Sequence, residues 1–272
     1  MSSILPILDE TPKTISYSAL TNFQLCPHYY YLTDIKRLKP WKNSPDTIFG
    51  TCIHKAVQDV LSDVMSVDEA IKTFNKKWNK LCKLYKKYIV QDDIDLSLSA
   101  PAIIEKIKPA LVLEFGTFSV VSIEERLALP SGEKWPQIFK GFVDCVLRLD
   151  NGKIVVIDFK TANSSFFFKK YQDKIKDYQL SLYKHFYCEK HKFDPNLVET
   201  YFIVLEKNHK SKKPINCIRV TSGNIKIQNA LKWLDIALSA INRKVFIKNR
   251  MSCLKFGEAH PCCFYNTDLC KR

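Results

Sequence analysis

Two short stretches, Gly141-Phe-Val-Asp144 and Val155-Val-Ile-Asp158-Phe-Lys160-Thr161, hold residues whose types and spacing suit chemistry. Val155, Val156 and Ile157 form an apolar run, so Asp158 is a carboxylate at the end of a core strand. Burying an acid beside apolar side chains is unfavourable unless it is paired or bound to a cation. Side chains alternate along a strand, so Asp158 and Lys160 share one face. Asp150-Asn151-Gly152 lies between the two stretches and is a strong hairpin signal. An in-register hairpin brings Asp144 near Asp158, and two carboxylates and an ammonium converge. That group suits phosphodiester hydrolysis. Carboxylates hold a hard cation such as Mg²⁺. The cation polarises the phosphate and acidifies a water. Lys160 positions that water or stabilises the developing negative charge. Asp-x-Lys alone is common by chance, and an ordinary hairpin with salt-bridged acids would use it equally well. The surrounding sequence has to discriminate.

The elements that must position these residues follow from the hydrophobic pattern. Helices are expected over 16–31, 47–64, 68–90 and 101–115, and strands over 118–129, 138–149 and 153–160. A helix over 174–191, strands over 198–206 and 215–221, and a long amphipathic helix over 225–244 complete the chain. This order predicts an α/β fold, a central mixed β-sheet flanked by helices, with an N-terminal helical region and a C-terminal cysteine-rich tail. A single domain is expected: helical region 16–115, catalytic core 118–222, and C-terminal helix with cysteine tail 225–272.

Composition narrows the function classes. The 272 residues include 42 Lys plus Arg against 28 Asp plus Glu, a formal charge of +14, with 46% hydrophobic and 26% charged residues. This is the mix of a folded protein and not of a disordered one. The positive balance points to a polyanionic partner, nucleic acid before acidic membrane. No apolar run approaches the roughly 20 residues that cross a bilayer. Residues 1–13 lack a basic-then-apolar export pattern, so a reducing, cytoplasmic setting is expected and a disulfide framework is not. Cys52, Cys82, Cys145, Cys188 and Cys217 sit in apolar or helical contexts and read as small core residues. Cys253, Cys262, Cys263 and Cys270 instead crowd the tail.

The constellation resembles the RecB-like branch of the PD-(D/E)XK nuclease superfamily in five features, spread in the family's order over nearly the whole chain. Ser16-Tyr-Ser18-Ala-Leu20 with Cys26-Pro27 and Tyr29-Tyr30 looks like its opening helix with a first cluster cysteine. Gly50-Thr51-Cys-Ile-His54 looks like its Gly-x-x-x-His motif, and Gln179-Leu-Ser-Leu-Tyr183 like its Gln-x-x-x-Tyr helix. Gly141-x-x-Asp144 and Asp158-x-Lys160 look like its catalytic strands, and the tail cysteines like its closing cluster. The resemblance implies a restriction-endonuclease-like core with His54, Asp144, Asp158 and the Phe159 carbonyl as ligands of Mg²⁺ or Mn²⁺. It implies Lys160 as the catalytic lysine, and Gln179 and Tyr183, on one helix face, near the site or the DNA. An acid on the first strand is also frequent in the superfamily, and Glu124 and Glu125 are both candidates.

The family's four thiolates hold a 4Fe–4S cluster. Here Cys26, Cys253, Cys262 and Cys270 are the favoured set, with Cys263 rivalling Cys262 and a structural Zn²⁺ as the alternative occupant. Lys169, Lys170, Lys174 and Lys176, interleaved with Phe166, Phe167, Phe168 and Tyr171, either stack and pair with DNA or cover the core. Lys207, Lys210, Lys212 and Lys213 read as a hairpin tip. No base-reading motif is present, so binding without sequence specificity is expected. The resemblance thus implies a metal-dependent DNA exonuclease acting on single strands or DNA ends in recombination or repair. A helicase or recombination protein is the expected partner, in a bacterial or phage-infected cell. A non-catalytic nucleic-acid-binding module with the same fold is the alternative, and an RNA nuclease is a third reading.

Overall fold

The computed structural model describes residues 11–38, 44–85, 95–163, 174–253 and 262–271. The helices are α1 (Tyr17–Leu25), α2 (Pro27–Tyr30), α3 (Pro45–Leu61), α4 (Val67–Leu84), α5 (Ala100–Phe115), α6 (Lys174–His191) and α7 (Asn224–Asn242). The strands are β1 (Thr14–Ile15), β2 (Phe118–Pro130), β3 (Ile138–Leu149), β4 (Ile154–Ala162), β5 (Val198–Glu206) and β6 (Ile215–Val220). The fold is α/β, a mixed sheet with helices, as the pattern predicts. The chain divides into two compact units, one of Met1–Trp41, Ala128–Gly141 and Leu231–Arg272, the other of Lys42–Leu127 and Phe142–Ala230.

The larger unit is built on β3–β4–β5–β6. Antiparallel β3 and β4 pair Cys145 with Ile157, and parallel β4 and β5 pair Asp158 with Phe202. β5 and β6 are antiparallel. Val155, Ile157 and Phe159 on β4 and Ile203 on β5 are buried in one cluster with Phe49, Ile53 and Ile104 from the helices. Ser44 caps α3 by accepting from Thr47 N at 3.2 Å, with Pro45 at its first turn. α4 opens with a capping box between Ser66 and Glu69 and packs Phe74 and Trp78 on Phe49. Beyond Tyr85, the predicted helix over 68–90 lies outside the described residues.

The smaller unit corrects one expectation. In place of a single helix over 16–31, α1 stops at Cys26, which is extended at φ −162° and ψ 114°. Pro27 disfavours helical backbone at the residue before it, so the chain breaks and restarts as α2. A π-helical turn, Tyr31–Ile35, continues it. The two-residue β1 was not legible in the sequence and pairs parallel with the start of β3, Thr14 with Ile138 and Ile15 with Phe139.

Candidate active site

The site lies in the larger unit. His54 and Gln58, one turn apart on α3, face the same way because four residues make about one turn. Gly50, a turn earlier, lies close to β4: a Cβ there would stand 3.4 Å from Thr161 Oγ1, in van der Waals contact with the strand. β3 supplies Asp144 and β4 supplies Asp158, Phe159 and Lys160. α6 supplies Gln179 and Tyr183.

These residues meet. With Cys145 opposite Ile157, Asp144 and Asp158 come next toward the open end of the hairpin. The Phe159 N–H donates to Asp144 Oδ2 at 2.7 Å, and His54 Nδ1 stands 3.9 Å from that oxygen. Gln179 bridges the other half: its Nε2 donates to Asp158 Oδ1 at 2.7 Å, and its Oε1 accepts from Lys160 Nζ at 2.9 Å. Lys160 Nζ forms an ion pair with buried Asp158 at Oδ2, 2.6 Å away. Gln179 Nε2 also reaches the Tyr183 hydroxyl at 3.3 Å.

Electrostatics follow from burial. Desolvation, then the charge of Asp158, raises the Asp144 carboxyl well above the ordinary range, opposed by the Phe159 N–H and Lys160. Burial lowers the proton affinity of His54, as does Lys160, against Asp158 and Glu124. Burial raises Tyr183 further above its already high range, so its hydroxyl stays protonated. Without added positive charge, the Asp144 carboxyl therefore holds its proton more readily than an exposed aspartate does.

Two neighbours complete the centre. Buried Gln58 donates to Glu124 Oε1 at 2.6 Å and stands 3.4 Å from the Asp144 carbonyl oxygen. Glu124 is the member of the glutamate pair directed here; its charge acts on both His54 and Asp144. It sits at φ 52° within β2, where Ser122 and Ile123 are both half-buried and the alternation slips by one residue. Glu125 instead accepts from Lys190 at 2.5 Å and His191 at 2.8 Å. Sequence reasoning missed Gln58; its four-residue spacing from His54 was the available signal.

In the smaller unit, Cys26, Cys253, Cys262 and Cys270 line one cavity with Leu25, His28, Tyr29, Leu32, Ser252 and Phe264. The Cys262 N–H donates to the Cys253 carbonyl at 3.0 Å, and His28 Nε2 meets the Leu269 carbonyl at 2.9 Å. Exposed Cys263 is not among the lining residues. Cys52, Cys145 and Cys188 are buried, and Cys82 and Cys217 are half-buried. Among the described residues, no three His, Cys, Asp or Glu side chains are drawn together closely enough to hold a metal as they stand.

The basic loop is less free than its sequence suggests: Lys207 pairs with Asp46 at 2.6 Å. Phe166, Phe167, Phe168, Lys169, Lys170 and Tyr171 lie outside the described residues, as do the side chains of Lys174 and Lys176. No described helix is long and apolar enough to cross a membrane.

The family model of the PD-(D/E)XK nuclease superfamily matches residues 14–253. A subunit of the ATP-dependent helicase/deoxyribonuclease of Streptococcus uberis is 29% identical over 167 residues, covering 58% of this chain. The chain spans only 15% of that relative's length. A crystal structure of a provisionally assigned exonuclease from Eubacterium rectale superposes with a TM-score of 0.57 at 13% identity, over 88% of this chain and 84% of its own. That likeness is one of fold.

Proposed function

This chain belongs to the PD-(D/E)XK nuclease superfamily, and from that premise we propose that it hydrolyses DNA phosphodiester bonds at the centre around Asp144, Asp158 and Lys160. The observation that carries the reading is the Asp158 carboxylate. It is 4% exposed, ion-paired with Lys160 at 2.6 Å and set beside a second, half-buried acid, Asp144. Two neighbouring carboxylates suit a hard cation. His54, Asp144, Asp158 and the Phe159 carbonyl would hold Mg²⁺ or Mn²⁺, which would supply Lewis acidity at the phosphate and acidify water.

The chain's own residues do the rest. Gln179 holds Lys160 and Asp158 at once, so the ammonium is aimed before substrate arrives. Lys160 stabilises charge developing on the phosphate. The protonated Tyr183 hydroxyl keeps the face behind Gln179 neutral. An exonuclease acting without sequence preference on single strands or DNA ends, in recombination or repair, is the activity proposed. The Streptococcus uberis relative is named as part of a helicase/deoxyribonuclease, and a helicase or recombination partner in the cytoplasm is proposed by that analogy.

We propose further that Cys26, Cys253, Cys262 and Cys270 hold a structural metal centre. They share one cavity, and burial first, then Cys263, Cys253 and Cys270, raise the proton affinity of Cys262. Metal binding would remove those protons. The resemblance implies a 4Fe–4S cluster there, and a single structural Zn²⁺ is the alternative. Absorbance near 400 nm with iron supports the cluster; a colourless protein with stoichiometric zinc supports the ion; neither metal removes the proposal.

The nuclease reading is tested with labelled single- and double-stranded DNA and Mg²⁺ or Mn²⁺, comparing wild type with Asp158→Ala and Lys160→Ala. Both substitutions abolish cleavage and leave binding largely intact. Equal cleavage by all three removes the site assignment. Binding without cleavage by wild type replaces the nuclease with a binding module.

A further inference from the structure

The segment between the end of α7 and Cys253 carries Arg243, Lys244, Lys248 and Arg250, all exposed, and no acidic residue. Lys244, at φ 58°, turns the chain out of the helix, and the Val245 N–H closes back on the Ala240 carbonyl at 2.9 Å. The segment is then pinned from behind. The Ile247 carbonyl accepts from His28 N at 3.3 Å, and Asn249 Nδ2 donates to the Leu25 carbonyl at 3.0 Å. The Asn249 N–H donates to Cys26 Sγ at 3.3 Å. The Phe246 ring stacks on Tyr31 at 4.9 Å, Tyr31 stacks on His28 at 6.1 Å, and Lys36 Nζ lies 5.5 Å over Tyr31.

The polar backbone contacts and Phe246 thus face inward, while the cations face outward. Among the described residues, Arg243, Lys248 and Arg250 form no ion pair with a carboxylate. Val245 and Ile247 are 40% and 69% exposed between them. A mobile lysine tail would need ordering on binding, but a pinned segment has met that requirement already.

We infer that residues 243–250 form a nucleic-acid-binding strap that contacts the phosphates of a single strand without reading its sequence. The kind of polyanion rests on the nuclease reading; the location rests on the strap itself. Fixed cations neutralise phosphates, and the exposed Val245 and Ile247 give unpaired bases an apolar surface.

The test is fluorescence anisotropy of a labelled thymidine 20-mer with the full chain in EDTA, so that cleavage is absent, across a salt series. Arg243→Ser/Lys248→Ser removes two exposed charges. Affinity falls about tenfold, and the slope of log affinity against log salt shrinks by about 1.4, at roughly 0.7 per phosphate contact on single strands. The melting curve remains that of wild type. Arg243→Glu/Lys248→Glu weakens binding further. Unchanged affinity and slope in both variants, or no binding by wild type, overturns the strap. Asp158→Ala separates the two readings: it binds as wild type through an intact strap even if the protein cleaves nothing.

Discussion

Replacing Lys160 by Met asks how the acidic centre is balanced. Lys160 Nζ is 2.6 Å from Asp158 Oδ2, with the lysine side chain 34% and the aspartate side chain 6% exposed. At an effective dielectric of 20, that separation corresponds to a gross attraction of about 6 kcal/mol. Desolvation offsets most of it. Removing one partner of a buried pair destabilises by about 3–5 kcal/mol, and the partial exposure of Lys160 lowers this to about 2. At about 2–4 °C per kcal/mol, the melting temperature in EDTA falls by roughly 4–8 °C. Lys160 Nζ also lies 5.4 Å over the Phe202 ring; methionine keeps an unbranched apolar side chain and removes only the ammonium, so the loss reports charge. Adding Mn²⁺ restores positive charge beside Asp158 and Asp144, so the Mn²⁺-induced rise in melting temperature is larger in Lys160→Met than in wild type. Cleavage still falls by about 10²–10³-fold, the size of a lost transition-state contact. Differential scanning fluorimetry in EDTA and in Mn²⁺, with a cleavage assay, measures all three. Unchanged EDTA stability, or an equal Mn²⁺ response in both proteins, refutes the reasoning.

Asp144→Asn stabilises the metal-free protein at pH 8 and not at pH 3. The raised Asp144 carboxyl makes the folded state bind more protons than the unfolded one above the ordinary aspartate range, so wild-type stability falls as pH rises there; urea melts in EDTA across pH check the sign. Glu125 behaves oppositely. Burial alone would raise it, but hydrogen bonds from Lys190 and His191 help bring it to about 2 from 4.5. Its contribution, about 1–2 kcal/mol after allowance for solvent screening, is present above pH 4.5 and lost toward pH 2; Glu125→Gln abolishes that part of the acid transition. Gln58→Leu leaves Glu124 without its donor, lowers stability by about 1–3 kcal/mol and weakens Mn²⁺ binding by isothermal titration, while the isolated loss of stability without a metal effect would assign Gln58 to the core alone. Cys262→Ser lowers the metal content of the purified protein and Cys263→Ser does not; the reverse result would exchange the two ligands.

Much of this site lies in local pattern. Strand alternation placed Asp158 and Lys160 on one face, the Asp-Asn-Gly turn paired Asp144 with them, and helical spacing grouped Gln179 with Tyr183. Apolar periodicity gave the α/β order. These features depend on residues within a few positions of one another, where backbone geometry alone dictates direction. The break at Cys26 was equally local, since Pro27 carries it, though the helical pattern around it obscured the signal.

Contacts between distant residues were settled only by the fold. Gln58 meets Glu124 across 66 positions, and no local period encodes that approach. Glu124 and Glu125 are chemically alike; the positive φ and the one-residue slip in β2 turn the first toward Asp144 and leave the second for Lys190 and His191. Adjacent Cys262 and Cys263 part in the same way, one lining a cavity with Cys26 and the other in solvent. Residue types and spacing determined which chemistry this protein can carry. Tertiary packing chose between neighbouring candidates, because a side chain's direction at a bulge or turn is set by what the chain packs against.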